Sequence, residues 1–149
     1  MGKFVNTDWR VVVITDSGTA DLSNHSFGVD TPSEKEQVDV SGFSPTGTRE
    51  FLPGVEDQTI TIRLLQDFGS SSVHATLNPI YTSGSACVVW VQPDSDAGTS
   101  DTNPIYGGSA HLYTYNASGG GELNSRAEVE AVFKPADGSL FSWGTAPPS

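Results

Sequence analysis

Serine, histidine and aspartate, the makings of a hydrolytic relay, are all present, with histidines at His25, His74 and His111. The serine of such a relay needs a strained turn to present its oxygen, and no G-x-S-x-G elbow occurs in the chain. The three histidines lie in separate segments with neither H-x-x-x-H nor H-x-H spacing, so no zinc site is expected. Asp94-Ser-Asp96-Ala-Gly98 has the opening of a calcium loop. Its glycine comes one position early, however, and Ile105 stands where the bidentate glutamate belongs, so a solvated acidic loop is the expectation. Gly119-Gly-Gly121 runs into Glu122 rather than Lys-Ser or Lys-Thr, which removes the phosphate-cradle reading. The single cysteine, Cys87, sits inside the apolar run Ala86 to Val91 and reads as a small buried hydrophobe rather than a nucleophile. The residues therefore imply no catalytic group, no metal and no cofactor: the chain is not expected to be an enzyme.

The charge points the same way. Across 149 residues, 7 basic side chains stand against 18 acidic ones, a formal charge of −11. Such a surface cannot neutralise a phosphate backbone, so tight, salt-dependent nucleic-acid binding is excluded, whereas repulsion of DNA is not. The longest aliphatic run, Val11 to Ile14, is far too short to span a bilayer, and the start lacks the apolar core of a signal peptide. Synthesis in a reducing cytosol, with no membrane partner, is the expectation.

Only 3 Lys and 8 Leu accompany 14 Val, 14 Thr, 19 Ser and 16 Gly, a mix poor in helix formers and rich in strand and turn residues. At this length one all-β domain covering 1–149 follows. Strands are predicted over Trp9 to Thr15, more weakly over Leu22 to Val29, and over Glu34 to Phe43, wet on one side. Thr59 to Leu64 is the clearest strand, with Ile60, Ile62 and Leu64 inward. Ala86 to Val91 is apolar on both faces and reads as a central strand. In Ile105 to Tyr115, Ala110 and Leu112 oppose His111, Tyr113 and Tyr115; in Asn124 to Lys134, Val129, Ala131 and Phe133 oppose Glu128 and Glu130. One short helix is predicted from Val73 to Asn78, capped by the Ser70 to Ser72 hydroxyls and limited by Pro79, with Val73, Leu77 and Ile80 as its apolar stripe. About seven strands and one flanking helix make a β-sandwich or barrel.

Three segments lack this periodicity. Residues 43–56 read as a long extended loop that nevertheless carries Phe43, Arg49, Phe51 and Leu52, residues suited to contact with a partner. Residues 94–104 read as a mobile surface loop without an apolar anchor. Residues 135–149 form an aromatic C-terminal arm, docked on a neighbour or frayed.

An ordered series runs through the chain: Val38-Asp-Val40, Arg49-Glu-Phe-Leu-Pro-Gly54, Asp57, Thr59-Ile-Thr-Ile62, Gln66-Asp-Phe68, Val73-His-Ala-Thr-Leu77 with Pro79, Gln92-Pro93, and Asn103-Pro104 with Tyr106 and Gly107. Taken together, these residues resemble the major tail tube proteins of long-tailed actinobacterial phages. The resemblance implies a β-sandwich or barrel with one flanking helix, assembled as a homo-hexameric ring that stacks into a hollow tube. It also implies contacts with other tail proteins (tape measure, terminator), a virion tail location, and a loop that reaches an adjacent ring, matched here by Phe43, Arg49, Phe51 and Leu52. DNA would pass through such a tube without specific binding, and carboxylates in the lumen would repel it over about 8 Å at physiological salt. Glu128 and Glu130 are the lumen candidates, because strand alternation sets them opposite the apolar face. Two departures stand out: Gln92 takes a place where a basic residue is expected, and the segment after Lys134 has no counterpart. The alternative is a β-sandwich binding module or capsid decoration protein, in which an exposed Trp or Tyr would stack on a ligand.

Overall fold

A computed structural model describes residues 9–42, 47–70, 72–94, 98–101, 103–119, 127–136 and 140–145. Ten strands and one helix follow in the order β1 (Arg10–Thr15), β2 (Gly18–Asp21), β3 (Ser26–Asp30), β4 (Ser33–Asp39), β5 (Phe51–Gln58), β6 (Ile60–Leu65), α1 (Val73–Ser83), β7 (Cys87–Gln92), β8 (Ile105–Gly119), β9 (Glu128–Pro135) and β10 (Ser142–Gly144). The all-β expectation holds, with three more strands than expected: β2 and β10 are too short to show a period, and β5 falls in the segment expected to be a loop.

Eight of the strands make one antiparallel sheet in the order β2-β1-β7-β8-β9-β6-β3, with β10 also on β8. The fifteen-residue β8 makes this possible. Its first part pairs with β7 through Val91↔Tyr106 and Cys87↔Ala110, and its later part pairs with β9 from Ala110↔Pro135 onward. The two halves of the sheet share one core, because Val11 and Val13 of β1, Val89 and Val91 of β7, Ile60, Ile62 and Leu64 of β6, and Val129, Ala131 and Phe133 of β9 belong to a single buried cluster. The predicted inward sets of β6 and β9 are all buried. A second, smaller cluster of Val12, Trp90 and Ile105 lies on the opposite face of β1, β7 and β8.

The local chemistry departs from period two at bulges. Between Leu112↔Phe133 and Thr114↔Val132, β8 carries an extra residue. The strand therefore switches faces, and Tyr115, expected beside Tyr113 on the outside, packs against the core instead. Gly107 lies directly across from Trp90, where a Cβ would fall 2.0 Å from the Val89 carbonyl oxygen, so no larger residue fits.

Helix α1 buries Val73, Leu77 and Ile80, as the stripe requires, but it continues past Pro79 to Ser83. Burying Ile80 is worth about 1.5–3 kcal/mol, comparable with the ~3 kcal/mol an interior proline costs; the stripe carries the helix across the break. Gly84, at φ 69°, then ends it in the left-handed conformation. Ser72 is the N-cap residue, yet its hydroxyl makes no capping bond. It lies 3.3 Å from His25 Nε2. Among the described residues no helix is long and apolar enough to cross a membrane.

The C-terminal segment docks on its own domain, contrary to the expectation of a neighbour or a frayed end. Phe141 is buried and β10 pairs with β8 through Trp143↔Tyr106. The Gln58 side chain clasps the arm: its Oε1 accepts from the Phe141 amide at 2.7 Å and its Nε2 donates to the Phe141 carbonyl at 3.2 Å. Residues 146–149 lie outside the described set.

Candidate assembly surface

Strands β4 and β5 pair only with each other, so they leave the main sheet as a separate two-stranded hairpin. This corrects the loop expected over 43–56: Phe51 to Gln58 is a strand, in register with Ser33 to Asp39 through Val38↔Leu52 and Asp39↔Phe51. Pro53 and Gly54 hid it, since both are depleted in strands, and a bulge between the Lys35↔Glu56 and Gln37↔Pro53 pairs accommodates them. Phe43 lies outside the described residues. Near the tip, the Val40 amide donates to the Glu50 carbonyl at 2.9 Å and the Glu50 amide donates to Ser41 Oγ at 2.6 Å. Asp39 accepts from the Ser41 amide at 2.9 Å, and its carboxyl is held below the usual range, first by the Ser41 hydroxyl and then by that amide.

All of β4 is exposed, not one side of it. Val38 and Leu52 share one face at 44% and 53% exposure, and Phe51 on the other face is 46% exposed. Val55 adds to this apolar surface and Arg49 stands exposed beside the tip. An isolated two-stranded hairpin is marginal in water, and this one leaves apolar side chains exposed on both faces. At its base, Lys134 Nζ donates to Asp57 Oδ1 at 3.2 Å.

Glu128 and Glu130 emerge on the outward face of β9, as alternation requires, while Val129, Ala131 and Phe133 are buried. That face is not purely acidic. Arg63 lies directly across from Glu130 on β6, and Lys134 shares the same side of β9.

Among the described residues, groups that could do acid–base chemistry meet at the entry to α1. His25 Nε2 is 3.7 Å from Asp67 Oδ2 and 3.3 Å from Ser72 Oγ, so a single ring nitrogen faces both partners. A relay needs the carboxylate on one ring nitrogen and the serine on the other; this is a structural clasp. The Asp67 carboxyl is held low, chiefly by the Gly69 amide at 2.8 Å and then by Ser72. Nearby, Tyr115 Oη contacts His74 Nδ1 at 2.7 Å and accepts from Gln66 Nε2 at 3.2 Å. Burial pushes the Cys87 thiol up to about 11, which leaves it protonated and inert. No group of three or more His, Cys, Asp or Glu side chains is placed to hold a metal among the described residues.

Two buried amides went unread in the sequence. Gln92, at the position expected to be basic, donates to Thr99 Oγ1 at 2.9 Å and to the Asn103 carbonyl at 3.1 Å. At 1% exposure a cation there would be desolvated, so a neutral amide suits the site. Asn103 ties the ends of the 94–104 loop together: its Oδ1 accepts from the Asp94 amide at 3.0 Å and its Nδ2 donates to the Asp94 carbonyl at 2.9 Å. The loop expected to lack an anchor has a polar one. The signal available was Asn-Pro itself, an asparagine fixed in extended backbone before a proline.

No family model and no curated protein matches the chain. Solved structures do. The tail of an empty gene transfer agent particle, refined with C6 symmetry, matches at a TM-score of 0.73 with 18% identity, covering 97% of this chain and 100% of that one. The tail tube of SPP1 matches at 0.71 with 13% identity, covering 97% and 81%. The virion of the native gene transfer agent particle matches at 0.66 with 18% identity, covering 89% and 95%. The fold is similar to that of tail tube chains. They share the antiparallel sheet with one flanking helix seen here, and the likeness spans 89–97% of this chain rather than a common core motif.

Proposed function

We propose that this chain is the tail tube subunit of a long-tailed phage, made in the host cytoplasm and assembled into the virion tail. Copies associate as hexameric rings and stack into a tube, with other tail proteins at its ends. The sequence resemblance favours an actinobacterial host. The observation that carries this reading is the exposed hairpin of β4 and β5, an apolar two-stranded element that the domain itself leaves uncovered, on a fold shared along its full length with tail tube chains.

The role is mechanical rather than catalytic. Hairpin residues Phe51 and Leu52 make the inter-subunit contact together with Arg49, while the summed charge of −11 per copy keeps DNA from adhering to the conduit. Support for a non-enzymatic role comes from the clasp geometry of His25, Asp67 and Ser72, which leaves no activated nucleophile.

Negative-stain microscopy of the purified protein, over a range of concentration, tests the proposal. Rings and tubes are expected. Uniform single-domain particles at all concentrations would favour the binding-module alternative.

A further inference from the structure

The chain returns from the β4–β5 hairpin into β6 at Ile60 and leaves the other end of β6, at Leu65, for α1. Six residues of strand set those two points about 17 Å apart. The antiparallel ladders carry the same sense across the sheet: Ile60, Arg10 and Gln92 are strand ends of one sense, and Leu65, Thr15 and Cys87 are ends of the other. The hairpin, which departs after Asp30 and rejoins at Ile60, therefore stands at the first rim. Helix α1, which departs after Leu65 and rejoins at Cys87, and the turn from Thr15 to Gly18 belong to the second.

At that second rim a groove of about 480 Å³ opens between the turn and the helix, walled by Asp16, Gly18 and Ala20 on one side and by Ala75, Pro79 and Ser83 on the other. It stays open because these side chains are too short to meet across it. Its size lies within the range of pockets that take an organic group, so it has room for a phenyl ring. Asp16 is the one ionisable residue in its lining, is exposed, and makes no ion pair or hydrogen bond through its carboxylate among the described residues.

The hairpin tip carries the complement. Phe51 is 46% exposed and has no aromatic partner among the described residues. Arg49 is exposed and makes no ion pair with any described residue, whereas Arg10 is held by Asp21 and the Trp90 ring, and Lys134 by Asp57. The bond from the Val40 amide to the Glu50 carbonyl carries the ladder past Phe51, so Arg49 and Phe51, two residues apart, share a side. Tip and groove lie on different elements at opposite rims. A contact between them is heterologous and repeats from copy to copy, as a tube requires.

We propose that the hairpin tip of one copy enters the groove between the β1–β2 turn and α1 of the next copy, with Phe51 between turn and helix and Arg49 paired with Asp16. This rests on the self-assembly reading above and names where its hairpin lands.

A charge swap tests the contact. Wild type, Arg49→Glu, Asp16→Arg and the combination of both are compared by pelleting and microscopy across a concentration series, with circular dichroism to confirm each fold. Each single reversal is expected to raise the concentration needed for tubes about tenfold, since it sets like charges together. The combined variant should return to within about threefold of wild type. Asp16→Asn, which keeps the turn chemistry and removes only the charge, should fall between wild type and Asp16→Arg. Ala75→Trp, at an exposed helix position, fills the groove without touching a charge and should also raise the concentration about tenfold. Tubes that form at the wild-type concentration in Arg49→Glu, Asp16→Asn or Ala75→Trp, or a combined variant no better than the worse single one, would overturn the contact and leave the tube reading intact. Wild type that never forms tubes overturns both.

Discussion

Replacing Phe51 and Leu52 together by Ser probes the hairpin where its apolar surface is largest. In the free subunit these side chains are 46% and 53% exposed, so about half of each still faces water. Complete burial of such a side chain is worth about 1.5–3 kcal/mol, so covering the remaining halves contributes about 1.5–3 kcal/mol for the pair. At 1.4 kcal/mol per decade, losing it raises the critical concentration for polymerisation roughly 10- to 150-fold. The main body should hardly notice, because β4 and β5 pair only with each other, and its melting temperature should move by no more than about 2–4 °C. Pelleting against total protein gives the first quantity and calorimetry the second. The two residues are adjacent in one strand and point to opposite faces, so single variants reveal whether both faces are covered. A double variant that polymerises at the wild-type concentration would refute the reasoning, as would one whose main body is destabilised as strongly as by a core truncation.

Leu77→Ala, at a fully buried position of α1, should cost the free subunit about 2–5 kcal/mol in chemical denaturation, whereas an unchanged midpoint would mean the stripe faces a partner. Gln58→Ala strands the buried amide and carbonyl of Phe141 and should cost about 1–3 kcal/mol, with faster amide exchange confined to 140–144 if the arm lifts. Cys87, with its thiol raised to about 11, should resist maleimide at pH 8 in the folded protein and react on unfolding. Asp39 has a folded value below its unfolded one, so its contribution is present above about pH 4 and lost as pH falls through the lower folded value. Amide exchange at Ser41 and Glu50 should therefore accelerate only in acid, and Asp39→Asn should abolish that step.

Wherever one face of a strand is buried and the other wet, the period of the side chains is a physical imprint of the layer arrangement. That is why Ile60, Ile62 and Leu64, and Val129, Ala131 and Phe133, were legible before any coordinates. The Val73, Leu77 and Ile80 stripe was legible for the same reason, as was the inertness of a cysteine in an apolar run. Composition alone argued against tight, salt-dependent nucleic-acid binding, because charge is additive and independent of fold. Strand β5 was hidden because Pro53 and Gly54 argue locally for a loop, and only pairing with β4 across a bulge makes them part of a ladder. The face of Tyr115 was misassigned because one extra residue in β8 reverses the side chains from Thr114 to Asn116, and a bulge depends on the partner strand's register rather than on its own sequence. The arm from Leu140 to Gly144 is clasped by Gln58, and the 94–104 loop by Gln92 and Asn103, amides whose partners are largely backbone groups brought close by the fold. Such bonds leave no periodic trace, since any residue can supply a backbone amide or carbonyl. The groove between the β1–β2 turn and α1 belongs to the same class: its walls come from residues 15–20 and 75–86, and only the packing of α1 beside β1 makes them neighbours.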